Sequence, residues 1–307
     1  MKKNITHLIL SDGGLKGIIY TGVLQYLYIE NMIDNIKFIA GTSIGAYFAL
    51  IFALKIPIEK IQTMLHNIIE NIEKDKLCTI NHKTFNKLFM KNGIMTLDFL
   101  FEEIHLYMKQ KFNCDDMSFI DFVKRTGVNL YVSTTNINTA CMKIFCLEDT
   151  PDAFIIESVK ASMSIPFLFE PIQIDGELFQ DGCVSSSLSL MNIFKDIPTE
   201  QKLQIVLDSK KDDFEITDLN DSSSFFFYIS QVLKTLYINH FNKKLFFDNS
   251  NVIYFDNIPY ENVLKFKITN EKIKIDITKE DYDKLILTGF KGASDFFQNE
   301  YNREITN

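Results

Sequence analysis

The sequence predicts an α/β fold of three layers, a mostly parallel central sheet flanked by helices, and three observations carry that expectation. Ile5 to Leu10 reads as a short buried strand that breaks at Ser11-Asp12-Gly13 and gives way to a helix-periodic stretch from Lys16 to Glu30. The same order returns at once, with Ile36 to Ala40 as strand, Gly41-Thr42-Ser43-Ile44-Gly45 as tight turn and Ala46 to Leu54 as apolar helix. A further buried-strand candidate, Leu203 to Leu207, follows later. Strand, turn and helix in repetition imply parallel pairing, because a crossover helix returns the chain to the same edge of the sheet.

The first helix is read from Ile19, Val23, Tyr26 and Leu27, which recur at three- to four-residue spacing. Pro57 to Arg125 is mostly helical in pattern. Within it Leu100, Ile104, Tyr107 and Met108 share one face of a helix from Leu97 to Lys109, and this insertion could roof a site. Val128 to Thr134 and Lys143 to Leu147 are expected as strands around Asn136-Ile137-Asn138, and Pro151 to Met163 as a helix. A strand from Pro171 to Ile174 and a turn at Asp175-Gly176 precede Asp181-Gly182. A long aromatic helix is expected from about Ser223 to Phe247, then a strand from Lys272 to Ile277 and a helix from Glu280 to Gln298. No repeat, Pro-rich linker or low-complexity tract marks a boundary, so residues 1–307 are read as one domain. Its motif-bearing core is about 5–190, with 200–307 completing it.

Bulk properties narrow the function. At 307 residues and 46% hydrophobic, the chain can bury a large core. A net charge of -8 argues against non-specific nucleic-acid binding, which rests on a Lys/Arg surface. Five cysteines (Cys78, Cys114, Cys141, Cys146 and Cys183) include no C-x-x-C pair and suit reduced thiols; neither a metal nor another cofactor is implied. The apolar run at Leu8 to Leu10 is too short for a signal peptide, and Ile44 to Leu54 too short to span a membrane. The expectation is a soluble, intracellular protein with at most peripheral membrane contact.

Gly41-Thr42-Ser43-Ile44-Gly45 fits G-x-S-x-G, and its place between an apolar strand and an apolar helix raises it above a chance match. A serine at such an apex is held in a strained turn with its hydroxyl exposed at the strand's carboxyl end. The helix that follows points free N–H groups and its positive dipole end at a reacting carbonyl. The other reading is a Gly-Ser turn that only caps a helix. Asp12-Gly13-Gly14-Leu15-Lys16-Gly17 lies at the end of the first strand, on the same sheet edge. There the amides of Gly13, Gly14 and Leu15 can approach an oxyanion, a contact worth about 3 kcal/mol per donor. A dinucleotide loop fits less well, since Asp12 stands where G-x-G-x-x-G needs its first glycine.

A Ser-Asp-His hydrolase triad needs a histidine after the acid, and His240 alone follows Asp181. It falls on an expected helix, not a loop, while His7, His66, His82 and His105 precede the acid. Asp181, in Leu178-Phe179-Gln180-Asp181-Gly182-Cys183, is the alternative base. With an ordinary pKa of about 4 it needs partial desolvation and a close hydrogen bond to act on serine. Without a histidine base, kcat/KM is not expected to fall through a pKa of about 6.5. An Asp-Gly turn is the structural alternative, and Cys183 a rival nucleophile.

Loop, elbow and Asp-Gly element, in this order, resemble the patatin-like phospholipase family. So do Gly22-Val23-Leu24, Thr134-Thr135-Asn136-Ile137-Asn138 and Ala161-Ser162-Met163-Ser164-Ile165-Pro166 before Phe169-Glu170-Pro171. The resemblance implies a Ser-Asp dyad: Ser43 as nucleophile, Asp181 as general base, and Gly13 and Gly14 as oxyanion donors beside Leu15 and Ile44. Asp12, Lys16, Gly17, Gly41, Gly45 and Gly182 belong to the same motifs. It also implies calcium-independent hydrolysis of phospholipid, lysophospholipid or neutral glycerolipid through an acyl-serine. Asp12 in place of the loop's usual first glycine, and Cys183 in place of Gly or Ala, depart from the pattern without removing a reacting group. A non-catalytic lipid-binding protein on the same fold is the rival class. The aromatic segment Phe225 to Phe247 could touch a bilayer or pack as core.

Overall fold

The computed structural model describes residues 4–74, 82–185, 189–207, 251–255, 266–269, 272–275 and 277–306. The expected aromatic helix from Ser223 to Phe247, with His240, lies outside the described residues.

The N-terminal half alternates as the apolar pattern dictates. Strand β1 (His7–Leu10) leads through a 3₁₀ turn over Gly14–Gly17 into α1 (Ile18–Ile29), and β2 (Phe38–Thr42) leads through Ser43 into α2 (Ile44–Ala53). The helical insertion comprises α3 (Ile58–Lys74), α4 (His82–Lys91), the short strand β3 (Gly93–Met95), α5 (Asp98–Phe112) and α6 (Phe119–Thr126). Strands β4 (Asn129–Asn136) and β5 (Cys141–Phe145) follow, then α7 (Ile155–Met163), β6 (Phe167–Phe169), β7 (Ile172–Ile174) and β8 (Glu177–Asp181). The remainder holds α8 (Ser189–Ile193), β9 (Lys202–Leu207), β10 (Val252–Phe255), the hairpin β11 (Phe266–Thr269) and β12 (Lys272–Ile275), and α9 (Lys279–Thr306).

The central sheet runs β10-β9-β1-β2-β4-β8-β7, with β5 also on β4. From β10 to β4 the pairing is parallel; β8, β7 and β5 add an antiparallel edge. Alternation along each strand sorts the side chains into two layers. Leu8, Leu10, Ile39, Leu203 and Ile205 join the main core with residues of α1, α2, α5 and α7. Ile9 and Ala40 face the other way and pack with Leu190 of α8 and Phe194 just past its end. Helix α9 lies along α1, and Gly22 and Gly289 let the two backbones touch.

Several boundaries moved for physical reasons. Strand β2 runs two residues past Ala40, because Gly41 and Thr42 pair with Val132 and Ser133, and ladder bonds override the glycine as a stop signal. The first helix opens as a 3₁₀ turn where glycines replace helix formers. Helix α7 begins at Ile155 instead of Pro151, since Phe154 is held in an extended bridge to Ser118. The expected strand at Lys143 starts at Cys141 and ends at Phe145. Strands β3 and β6, three residues each, carry too little pattern to read from sequence. Helix α5 buries Phe101, Ile104 and Met108 in the main core, so this part of the insertion is built into the molecule.

Candidate active site

Strand β4 sets the geometry of the site. Its first residues pair with β2 up to Thr42 opposite Ser133, and the next rung pairs Thr134 with Asp181 of β8. Strand β5 occupies the other flank of β4. The ends of β2 and β8 therefore meet head to head along one strand. Gly182 makes the meeting possible: a side chain there would run into the Ser133 carbonyl and the Thr42 methyl.

Ser43 caps α2 at φ 54° and ψ -127°, a left-handed conformation that costs a non-glycine residue about 1–3 kcal/mol. The strain is held by packing and hydrogen bonds. A side chain at Gly45 would strike the carbonyl oxygens of Leu10 and Ser11, so the elbow presses directly on the end of β1. The Ser43 amide donates to the Ser162 hydroxyl at 2.9 Å, which in turn donates to the Ser133 carbonyl at 2.7 Å.

Across the junction, the Ser43 hydroxyl donates to Asp181 Oδ2 at 2.6 Å. Asp181 is fully buried and Ser43 is 7% exposed. The other carboxylate oxygen, Oδ1, accepts the Cys183 amide at 2.9 Å. The Asp181 backbone is fixed too, its amide donating to the Ser164 carbonyl at 3.0 Å and its carbonyl accepting the Thr135 hydroxyl at 2.8 Å. Burial pushes the Asp181 carboxyl up to about 7, with the Asp12 charge adding to the rise and hydrogen bonds from Ser43 and Cys183 opposing it. The partial desolvation that an aspartate base requires is thus present. It also removes the expected contrast with a histidine: a buried carboxyl titrating near 7 falls in the imidazole range.

The glycine-rich loop lies beside the elbow, with Gly17 packed against Ile44. Its entry is pinned at Ser11, whose amide donates to the Ile205 carbonyl, whose hydroxyl accepts the Leu207 amide, and whose carbonyl accepts the Tyr20 hydroxyl at 2.6 Å. The 3₁₀ turn starts at Gly14, so the amides of Gly13, Gly14 and Leu15 precede its first internal bond, from the Lys16 amide to the Gly13 carbonyl. Gly14 is exposed at φ 55° with open space around it. Ile44 stands at the first position of α2, where its amide has no acceptor within the helix. Asp12 and Lys16 are both buried in this loop.

Cys183 is a poor thiolate here: burial pushes its thiol well above the ordinary range, and the charges of Asp181 and Asp12 raise it further. His7 is stacked on Phe38 and edges onto Phe194, and His105 hydrogen-bonds the Asp115 carbonyl. Sequence alone assigns no role to Ser162, Ser133 and Thr135, although small polar residues within the apolar stretches of β4 and α7 are a signal. All three are buried. A separate cavity of about 220 Å³, lined by Met64, Asn67, Ile68, Phe99, Leu100, Glu102 and Glu103, contains none of the residues of the elbow, loop or Asp-Gly element.

The patatin-like phospholipase family model matches residues 8–193, the stretch that holds the loop, the elbow and Asp181. The chain is 28% identical over 258 residues to an uncharacterized protein, R571, of Acanthamoeba polyphaga mimivirus, covering 82% of this chain and 84% of that one. It is 29% identical over 182 residues to the probable lipid hydrolase 463L of invertebrate iridescent virus 6, covering 58% of this chain and 59% of the relative. Among solved structures, VipD from Legionella pneumophila superposes with a TM-score of 0.57 at 16% identity, over 96% of this chain and 67% of that one; this likeness concerns the fold.

Proposed function

The chain belongs to the patatin-like phospholipase family, and from that premise we propose that it is a phospholipase A or lysophospholipase type of serine esterase, cleaving glycerolipid carboxylic esters through a Ser43-Asp181 dyad. The observation that carries the proposal is the 2.6 Å hydrogen bond from the Ser43 hydroxyl to a fully buried carboxylate.

Asp181 Oδ2 takes the hydroxyl proton as Ser43 Oγ bonds to the ester carbonyl carbon, and the carbonyl π electrons move to its oxygen. The amides of Gly13 and Gly14, with those of Leu15 and Ile44 nearby, are the proposed donors to that oxyanion. When the intermediate collapses, the bond to the leaving alkoxide breaks and Asp181 returns the proton to it, leaving acyl-Ser43. A water then gives its proton to Asp181 and attacks the acyl carbon; the fatty acid leaves as the proton returns to Ser43 Oγ. Asp181 thus alternates between base and acid, a task suited to a group titrating near working pH. The scheme uses no metal.

Ser43→Ala and Asp181→Asn should each lower ester hydrolysis by roughly 10⁴-fold or more while leaving the fold intact. Wild-type turnover in either variant overturns the dyad. Loss of all activity in His240→Ala, with Asp181→Asn still active, points to a conventional triad. A folded protein that binds lipid but whose Ser43 resists a fluorophosphonate probe is a binding protein. Released fatty acids from a mixed lipid extract, read by mass spectrometry against Ser43→Ala, identify the substrate class.

A further inference from the structure

In a chain of net charge -8, helix α4 (His82–Lys91) carries Lys83, Lys87 and Lys91 and no acidic residue. Its last turn is anchored by Leu88, buried at 8% exposure, while Phe89 is 73% and Met90 80% exposed. Lys87 and Lys91 are exposed on either side of them. A largely exposed aromatic and methionine framed by two lysines oppose the charge balance of the rest of the molecule.

This turn is linked to the candidate active site through two short strands. After Asn92, β3 begins at Gly93, which pairs with Phe167 of β6. Phe167 is itself 39% exposed and held at φ 66°, a conformation a bulky side chain adopts only under constraint. Three residues before it, the Ser164 carbonyl accepts the Asp181 amide. On the far side of Asp181, Val184 is 44% exposed. Exposed apolar side chains thus stand on α4, at the start of β6 and just past Asp181, elements joined to one another through β3 and the Ser164 carbonyl.

We propose that this edge, Phe89, Met90 and Phe167 with Lys87 and Lys91, is the surface on which the protein docks to an anionic phospholipid bilayer. The apolar side chains enter the headgroup boundary and the lysines meet lipid phosphates, the arrangement of an interfacial amphipathic helix. Charge complementarity selects an anionic lipid surface, and two large exposed apolar side chains select a bilayer over a soluble anion. Screening over about 8 Å at physiological salt keeps the remaining negative charge from opposing the contact. Docking here brings ester bonds of the bilayer to the side of the molecule where Ser43 lies, so the choice of partner rests on the hydrolase reading.

The test uses the full chain carrying Ser43→Ala, co-sedimented with phosphatidylcholine vesicles with and without phosphatidylglycerol. Binding should need phosphatidylglycerol and weaken with salt. The pairs Phe89→Ser/Met90→Ser and Lys87→Glu/Lys91→Glu should each reduce it by about tenfold or more, with unchanged thermal unfolding. In chains with Ser43 intact, the same pairs should lower turnover on vesicles and leave a monomeric soluble ester unaffected. Vesicle binding that survives both pairs, or its absence in the unsubstituted surface, overturns the proposal. If docking behaves as expected but no ester is turned over, the hydrolase reading fails and the docking surface stands. If ester turnover is sound and both pairs bind normally, only the docking surface falls.

Discussion

The Ser43 amide and the Ser162 hydroxyl, 119 residues apart in sequence, are joined by a buried hydrogen bond of 2.9 Å. The Ser162 hydroxyl donates in turn to the Ser133 carbonyl, so one hydroxyl ties helix α7 to both the elbow and β4. Ser162→Ala leaves an amide and a carbonyl buried without that partner, a loss of about 1–3 kcal/mol. If the bond also positions the nucleophile, kcat for a soluble ester falls while KM changes little. A lowered Tm with unchanged kcat limits Ser162 to a structural role.

A base titrating at about 7 gives kcat/KM that rises with pH through that value, because Asp181 must be ionised to accept the Ser43 proton. The profile alone resembles that of a histidine enzyme, so its temperature dependence is the informative measurement. Carboxyl ionisation has an enthalpy near zero and imidazole ionisation a large one. The inflection should stay in place on warming; a marked downward drift assigns it to an imidazole.

The same burial has a stability consequence of opposite sign. Asp181 holds its proton more tightly when folded than when unfolded, so between about 4 and 7 the native state binds more protons and stability declines as pH rises. The decline has an upper bound on the order of 4 kcal/mol, at 1.36 kcal/mol per pH unit. Asp181→Asn, neutral at every pH, should unfold at a higher temperature than wild type at pH 8, with the difference shrinking toward pH 4. No difference at pH 8 shows that the carboxylate is compensated within the fold.

Cys183 donates its amide to Asp181 Oδ1, and this bond and the neighbouring thiol both favour the ionised carboxylate. Cys183→Ala removes the thiol and keeps the amide bond; it should move the kcat/KM inflection upward, while the nucleophile still labels with fluorophosphonate. A downward shift contradicts the assignment of Cys183 as a donor. Loss of labelling in Cys183→Ala returns the thiol to the list of nucleophiles.

Sequence made the scaffold legible where local pattern and global packing agree. Leu8, Leu10, Ile39 and the apolar run of α2 could be buried only by a sheet with helices against it. The elbow was visible because a glycine-flanked serine between strand and helix has few other uses. Two kinds of information were not visible. Strands β3 and β6 exist through pairing with each other, at Gly93 with Phe167 and Met95 with Phe169, and three residues cannot announce a partner more than seventy positions away. The ionisation of Asp181 was likewise hidden, since it depends on Asp12 and the exclusion of water, neither of which a residue's own neighbours in sequence determine.

The end-to-end meeting of β2 and β8 along β4 also divides the chain by its tolerance of insertions and deletions. Ser43 and Asp181 are 138 residues apart in sequence, yet their spacing is set by the single step from Ser133 to Thr134. Lengthening a surface connection between them costs little, about 0.6 kcal/mol for each doubling of a flexible loop. Removing one residue from β4 at that step reverses the alternation beyond it and turns the Asp181 side of the junction toward the opposite face. Descendants of this chain are free to vary in length in the surface connections between the two residues, but not within that strand.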